Sequence, residues 1–192
     1  MIPGTGENSP GDLRISFLVV DNGGRLIAPP RARFWIARPV TSTPFQETVA
    51  HLERVGVAGV SQVQDAPALY VAHVHVTEPG TYSILARPIG HVSISGIRDA
   101  TPRYCESRTC GPVVDVVDQV RRRFTGTAIR FIHVEIYRDN DPRKGENRWV
   151  REWHLPSEPW TFLVGRDGRI KGKFEGAVSS RELDLAVRRL LQ

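Results

Sequence analysis

The amino-acid sequence predicts two domains, an antiparallel β-sandwich over residues 1–98 and an α/β domain over residues 99–192. Two patterns predict this division. Short segments rich in β-branched and aromatic residues, separated by turn residues, fill the first half. After residue 110 the apolar residues recur instead at helical spacing. Because 40% of the 192 residues are hydrophobic and 24% are charged, the chain can form an ordinary hydrophobic core.

The first half contains four segments that we predict to be strands, DLRISFLVV, RARFWIAR, LYVAHVHV and GTYSILAR. Turn-forming residues separate them, for example at 21–24, 65–67 and 78–80. Strands at this spacing, with no long helix among them, are typical of an antiparallel β-sandwich. The turn at residues 79–82 runs directly into the last segment, a pattern common in immunoglobulin-like domains. We therefore expect an immunoglobulin-like sandwich that serves as a scaffold or adaptor.

The second half alternates between helical and extended patterns. The segment VVDVVDQVRRRF has one apolar helical stripe, whereas AIRFIHVEIY is apolar on both faces, as expected for the central strand of a parallel sheet. A short helix is predicted at residues 147–153 and a hairpin around residues 165–168. Ser179 and Glu182 have the spacing of a capping box, which predicts the start of a last helix. The order helix, strand, helix, hairpin, helix indicates an α/β domain.

The chain contains two cysteines, Cys105 and Cys110, which lie five positions apart. Gly111 and Pro112 follow Cys110, and because proline is tolerated in the first turn of a helix, we expect a helix to begin here. A thiol at a helix N-terminus is close to unpaired backbone N–H groups, which favour the reactive thiolate. Five extended residues span roughly 16 Å, whereas the Cα atoms of bridged cysteines lie within about 7 Å of each other. The segment must therefore turn back on itself if the two cysteines form a disulfide.

The sequence from Cys105 to the C-terminus resembles the thioredoxin-like superfamily. The resemblance rests on the cysteine pair followed by Gly111 and Pro112, on the segment IRFIHVEIY, and on EPWTFLV leading into GRDGRI. In that superfamily a cis-proline precedes the third core strand and faces the redox cysteines, and Pro159 occupies the matching place. The chain as a whole is similar to a bacterial group in which an immunoglobulin-like region precedes a thioredoxin domain, often exported or lipid-anchored.

The resemblance implies thiol–disulfide chemistry on a protein substrate or redox partner. Cys105 would attack the substrate disulfide and Cys110 would resolve the mixed disulfide; the reverse assignment stays open, because Cys110 is nearer to the helix. Pro159 would help to present the backbone that pairs with the incoming peptide. The usual pair of the superfamily has two intervening residues rather than four, and this difference changes the redox poise.

The stretch before Cys105 is short for a domain of this kind. In the thioredoxin-like superfamily a strand comes immediately before the redox loop, and only residues 91–97 look extended there. The same residues are equally suited to be the last strand of the sandwich. The α/β domain is therefore expected either with or without its first strand.

Other interpretations of the cysteines stay open. They can form a purely structural disulfide in a non-catalytic interaction module, or they can be idle thiols. As a further alternative, some thioredoxin-like proteins bind copper through a cysteine pair and a distant histidine, for which His133 and His154 are candidates. His73 and His75 share one face of a predicted strand, but no third ligand is apparent. We therefore assign no metal and no cofactor.

Four aromatic residues cluster in the second half and are expected to pack around the proline loop: Trp149, Trp153, Trp160 and Phe162. The alternative is an aromatic lip that binds a partner peptide. Asp115 and Asp118 are expected to face solvent, although a buried acid beneath a redox pair can accept a proton in thioredoxins.

The net charge of +5 rests almost wholly on arginine. The one tight basic run, at residues 121–123, lies where a predicted helix ends, and cations there complement the helix dipole. We therefore expect no nucleic-acid partner. No apolar run reaches the roughly 18 residues that cross a bilayer, and the N-terminal residues lack the pattern of a secretory signal. The resemblance suggests an extracytoplasmic location with anchoring through a segment outside this chain, while a cytoplasmic location stays open.

Overall fold

The computed structural model describes residues 1–4, 10–21, 25–38, 46–61, 67–90, 110–155 and 157–192. These residues form a mixed α/β structure, in which the first half is an antiparallel sheet and the second half contains helices and a hairpin. At this level the predicted fold class is confirmed.

Six strands of the first half form one sheet. They are β1 (Ile2–Pro3), β2 (Gly11–Leu18), β3 (Arg31–Ala37), β4 (Gln46–Arg54), β5 (Ala68–Val76) and β6 (Ser83–Pro88). Their order across the sheet is β1-β2-β5-β4-β3-β6, and every neighbouring pair is antiparallel. A sandwich has two sheets packed face to face, whereas the described strands of the first half all belong to this single sheet.

One face of this sheet carries the core of the first half. The ring of Phe17 stacks on Phe34, with centroids 5.3 Å apart, and on Tyr70, with centroids 5.5 Å apart, and all three side chains are fully buried. The Tyr70 hydroxyl donates hydrogen bonds to the carbonyl oxygens of Ile27 at 3.3 Å and Pro29 at 2.8 Å. Burial raises the pKa of Tyr70 to about 12. The hydroxyl therefore remains a hydrogen-bond donor at neutral pH.

Strand β4 is not predicted from its sequence, although it lies between β5 and β3. Its segment, QETVAHLER, is mostly polar and has only two β-branched residues. Ala50 and Leu52 pack on the core of the sheet, whereas His51 between them is exposed. The two neighbouring strands stabilise β4 through their ladders, and this tertiary pairing outweighs its weak intrinsic preference.

The described part of the second half contains three α-helices, two short 3₁₀-helices (Arg138–Asn140 and Pro142–Lys144) and one hairpin. Apart from the 3₁₀-helices, they are α1 (Cys110–Arg123), α2 (Arg148–Glu152), the paired strands β7 (Trp160–Val164) and β8 (Ile170–Glu175), and α3 (Ser180–Leu190). The predicted capping box of α3 is confirmed, because the Ser179 hydroxyl accepts from the Glu182 N–H and the Glu182 carboxylate accepts from the Ser179 N–H. The predicted first helix, short helix and hairpin are confirmed as well.

Helices α1 and α3 pack with the hairpin around a second hydrophobic core. The predicted apolar stripe of α1 packs against α3, and both helices share a core with Leu163 of β7. The buried residues of this core are Val113, Val116, Val120, Phe124, Leu163, Val178, Leu183 and Val187. The start of α1 and the strand that follows Pro159 therefore belong to the same packed unit.

The parallel central strand predicted for AIRFIHVEIY is wrong. Residues 128–136 form neither helix nor strand, and Tyr137 makes only an isolated bridge with Glu146. Ile129 and Phe131 still pack against the second core, but the Ile132 side chain is 82% exposed. A strand that is apolar on both faces needs neighbours to cover both, and no described strand pairs with this segment.

The two halves touch through a small apolar cluster and a polar network. Val55, Leu69 and Val71 of the first half pack against Ala177, which lies just before α3. The predicted domain boundary at residue 98 lies outside the described residues.

Within the described ranges, none of the helices combines the length and the apolar composition that crossing a membrane requires.

Candidate functional site

The N-terminus of α1 is the part of the predicted redox site that the structure describes. Cys110 is the first residue of this 14-residue helix, as the sequence predicts, and Pro112 is buried in its first turn. The first turn contains no acidic residue. The partial positive charge of the helix end is therefore not offset by a carboxylate of its own first turn. Cys105 and the side chain of Cys110 lie outside the described residues, so the sulfur positions are not part of this geometry.

The proline loop comes immediately before β7. The peptide bond between Glu158 and Pro159 is cis, which is the conformation that the resemblance implies. The carbonyl oxygen of Pro159 accepts a hydrogen bond from the Gly176 N–H at 2.8 Å, and the Ser157 hydroxyl donates to the buried carboxylate of Glu175 at 2.5 Å. Both contacts attach the loop to the end of β8. The position of Pro159 is therefore held by the hairpin.

Three of the four aromatic residues that were predicted to cluster pack together beside this loop, and Trp149 does not join them. Trp160 and Phe162 stack on the outer side of β7 with centroids 5.6 Å apart, and Trp153 meets the ring of Phe162 edge-on at 4.9 Å. The Lys173 ammonium lies 5.9 Å from the Trp160 ring. The indole nitrogen of Trp160 is buried and has no hydrogen-bond partner among the described residues. Trp149 is 43% exposed and stands apart from this stack, against the guanidinium of Arg148.

Asp115 and Asp118, the acidic residues of α1, bind serine and arginine side chains. Asp115 accepts a hydrogen bond from the Ser61 hydroxyl at 2.7 Å and so connects α1 to the first half. Hydrogen bonds from Arg121, which has the larger effect, and from Arg122 lower the pKa of Asp118. Arg123 pairs with Asp184 of α3 at 3.4 Å. The basic run is thus paired with carboxylates at the helix end, in agreement with its interpretation as a solvated helix terminus.

The histidines considered as metal ligands lie on the surface of the described structure. His133 lies within 3.1 Å of Glu135 and His75 within 2.7 Å of Asp12, all of them on the surface. His154 is exposed. In the described part of the chain, no group of three or more histidine, cysteine or acidic side chains is arranged to hold a metal ion.

Sequence reasoning missed a buried polar network where the sheet meets α3. Arg14 of β2 donates to both carboxylate oxygens of Glu182, at 2.8 and 3.1 Å. Glu53 of β4 accepts from the Ser179 hydroxyl at 2.9 Å and pairs with Arg181. The only sequence signal for this site was the capping box itself, because nothing in the local pattern links it to strands more than a hundred residues earlier.

One hydrophobic core links α1 to the strand that follows Pro159. Val113 in the first turn of α1 and Leu163 of β7 belong to one core, so the cysteine-bearing helix and the strand after Pro159 are held in one unit. The chain matches no family model, and no curated protein and no solved structure shows significant similarity to it.

Proposed function

We propose that the protein carries out thiol–disulfide exchange with a protein partner, through Cys105 and Cys110 and with Pro159 beside them. The observation that carries the proposal is the position of Cys110 at the first residue of α1, with no carboxylate in the first turn. Unpaired N–H groups at such a helix end stabilise a thiolate relative to a thiol, and the thiolate is the nucleophile in disulfide exchange.

The packing of α1 supports the same proposal. Val113 and Val116 anchor the first two turns in the second core, so the backbone N–H groups at the helix start are held by a buried framework. The proline loop is attached to β8 through Gly176 and borders the same core through β7. A helix end and a loop that are both attached to one buried core give the kind of pre-organised surroundings that a reactive group requires.

The proposed reaction has two steps. The Cys105 thiolate attacks one sulfur of a substrate disulfide, so that a mixed disulfide forms and the other substrate sulfur leaves as a thiolate. Cys110, deprotonated at the helix end, then attacks the Cys105 sulfur, which forms the Cys105–Cys110 disulfide and releases the second substrate thiolate. Two electrons pass from the dithiol to the substrate, and the reverse sequence oxidises a substrate dithiol.

We also propose a fold family for each half and a cellular location for the protein. We propose an immunoglobulin-like first half and a thioredoxin-like second half, divided near residue 98. The antiparallel strands β1–β6 support the first assignment, and the order α1, α2, hairpin, α3 supports the second. Partners with disulfides are found mainly in oxidising compartments, so we place the activity outside the cytoplasm.

Reduction of insulin disulfides by dithiothreitol tests the activity. We expect the wild type to accelerate the reaction, and Cys105→Ser and Cys110→Ser each to abolish the acceleration. Cys110→Ser should in addition accumulate a mixed disulfide on Cys105 that mass spectrometry detects, because the resolving thiol is gone. The matched control is Ser107→Ala, which changes a residue between the two cysteines in the sequence and leaves both thiols in place.

Three results would contradict the proposal. If the wild type is no faster than Cys105→Ser, the protein is not an exchange catalyst. If both serine variants are less stable than the oxidised wild type, and none of the proteins shows turnover, the cysteines form a structural disulfide in a non-catalytic module. Thiol-dependent binding of Cu(I) without turnover would instead favour the copper alternative.

A further inference from the structure

Five successive buried residues lie at the junction between β8 and α3, and this stretch is here called the connector (residues 175–179). A connection between two elements usually lies on the surface, where water satisfies its backbone groups. A buried connection needs protein partners for those groups instead. The partners of the connector come from two parts of the chain, the proline loop and the first half.

The N-terminal end of the connector holds the proline loop. The Gly176 N–H donates a hydrogen bond to the carbonyl oxygen of Pro159 at 2.8 Å. The Glu175 carboxylate accepts a hydrogen bond from the Ser157 hydroxyl at 2.5 Å. Two adjacent residues of the connector thus bind the loop on either side of residue 158. A shift of the connector would therefore displace Pro159.

The first half of the chain holds the same connector. Arg14 of β2 donates a hydrogen bond to the carbonyl oxygen of Ala177 at 2.9 Å, and the Ala177 side chain packs into an apolar cluster of the first half. The Ser179 hydroxyl donates to the buried carboxylate of Glu53 of β4 at 2.9 Å. Strands β2 and β4 therefore fix the connector within three residues of its contact with Pro159.

Gly176 is the point at which the two sets of contacts meet. Its φ of +70° lies in the left-handed region that favours glycine. A Cβ atom at this position would lie only 2.7 Å from the carbonyl oxygen of Gly4, which follows β1. The N-terminal residues of the first half thus lie directly against the residue whose N–H binds Pro159. A side chain at position 176 would push these two segments apart.

We propose that the first half of the chain positions Pro159 through the connector, and that Gly176 is the positioning residue. This inference rests on the proposed exchange function, in which the backbone at Pro159 pairs with the substrate peptide. Such a peptide binds well only if that backbone is already in place, because ordering a loop on binding lowers the affinity. The contacts of the first half therefore affect the affinity for the substrate more than the chemistry of the thiols.

Two glycine substitutions separate the close approach of Gly4 from the effect of a positive φ. Gly176→Ala and Gly168→Ala both place a side chain at a positive φ, of +70° and +72°. At Gly168, in the turn of the hairpin, a Cβ atom would meet nothing within 4 Å. We expect Gly176→Ala to lower the hydrogen-exchange protection of the amide at position 176 about tenfold. It should raise the KM for insulin about tenfold and change kcat by less than about twofold. Gly168→Ala, the matched control, should change none of these quantities.

A pair of arginine substitutions tests the contribution of the first half directly. Arg14→Ala removes the hydrogen bond to Ala177 without changing any residue of the connector or the proline loop. We expect it, too, to lower the protection of the amide at position 176 and to raise the KM for insulin. Arg33→Ala is the matched control, because Arg33 forms a similar double hydrogen bond with Glu47 on the surface of the sheet. It should retain the wild-type values, and far-UV circular dichroism checks that each variant is folded.

The amide measurement and the activity measurement distinguish two kinds of failure. Equal protection of the amide at position 176 in Gly176→Ala and Gly168→Ala would overturn the inference, whether or not the protein catalyses exchange. An unchanged KM in both Gly176→Ala and Arg14→Ala, with an active wild type, would overturn it as well. A wild type without turnover would contradict the proposed exchange function. Reduced protection in Gly176→Ala and Arg14→Ala would in that case still support the positioning of Pro159 by the first half.

Discussion

Arg14 shows at the scale of a single residue how the sheet holds the last helix. Its guanidinium is largely buried and donates two hydrogen bonds to Glu182, 168 positions away, and a third to the carbonyl oxygen of Ala177 at 2.9 Å. Burial by itself raises the pKa of Glu182, but the hydrogen bonds from Arg14 and Ser179 lower it by more. The pKa of Glu182 therefore lies below its ordinary value of 4.5.

We predict that Glu182→Gln lowers the free energy of unfolding at pH 7 by about 2 kcal/mol, because Arg14 loses its buried partner. Glutamine can still accept in the capping box, so the change isolates the ion pair. The unfolded chain takes up the proton of Glu182 at a higher pH than the folded chain. Its stabilisation is therefore complete above pH 4.5 and is lost as the pH falls through the lower, folded pKa.

Urea unfolding at several pH values checks this prediction. The wild type should lose stability below pH 4.5 more steeply than Glu182→Gln. The control is Glu78→Gln, since Glu78 forms an exposed pair with Arg38 and its side chain is 73% exposed. That variant should change stability by less than about 0.5 kcal/mol. An equal effect of both variants would show that the Arg14 pair is no stronger than a surface pair.

At the scale of the element, α1 is defined by its apolar stripe. Val116 and Val120 are fully buried between α3 and the hairpin, while Val114 on the opposite side is 44% exposed. The same stripe fixes the start of the helix, where Cys110 lies. The stability of the stripe and the placement of the proposed reactive thiol are therefore linked.

Truncation of the stripe is expected to destabilise the second half. Val116→Ala should cost about 2 kcal/mol through lost burial and a residual cavity. Val114→Ala, the same change on the exposed side, should be neutral or slightly stabilising, because alanine has the higher helix propensity. Thermal unfolding of both variants measures the difference. Equal melting temperatures would mean that α1 is not packed as described.

At the scale of the whole molecule, the halves are connected by contacts that neither could form alone. Glu53 is 7% exposed, and among the described residues it accepts a hydrogen bond from the Ser179 hydroxyl and is neutralised by Arg181 at the start of α3. Ala177 completes an apolar cluster whose other buried members belong to the first half. A buried carboxylate without its partners is costly, so separation of the halves carries a free-energy penalty.

We predict that the two halves of the wild type unfold in one transition. In a Trp35→Phe background the remaining tryptophans, at 149, 153 and 160, report only on the second half, and circular dichroism reports on both. The two probes should give coincident urea transitions. Combining Arg14→Ala with Glu53→Ala should separate them. Non-coincident transitions already in the Trp35→Phe protein would contradict the coupling of the halves.

Much of the local structure could be predicted because it depends on neighbouring residues. The stripe of α1, the capping box at Ser179 and the turn at residues 165–168 are each specified within a few positions of the chain. Of the candidate site, the helix start at Cys110 and the place of Pro159 before β7 were predictable in the same way. The other cysteine, Cys105, lies outside the described residues.

Features that depend on distant partners were decided only by the tertiary structure. The polar segment of β4 becomes a strand because β3 and β5 lie on either side of it, whereas the strongly β-forming segment at 128–137 has no described neighbour and does not form one. The burial of Glu53 and Arg14 against α3 likewise requires residues more than a hundred positions apart to meet. The sequence by itself determined the periodic helices, the caps and the turns. Only the tertiary structure decided which strands pair and which charged side chains are buried. Backbone ladders and buried charges are stable only when both partners are present.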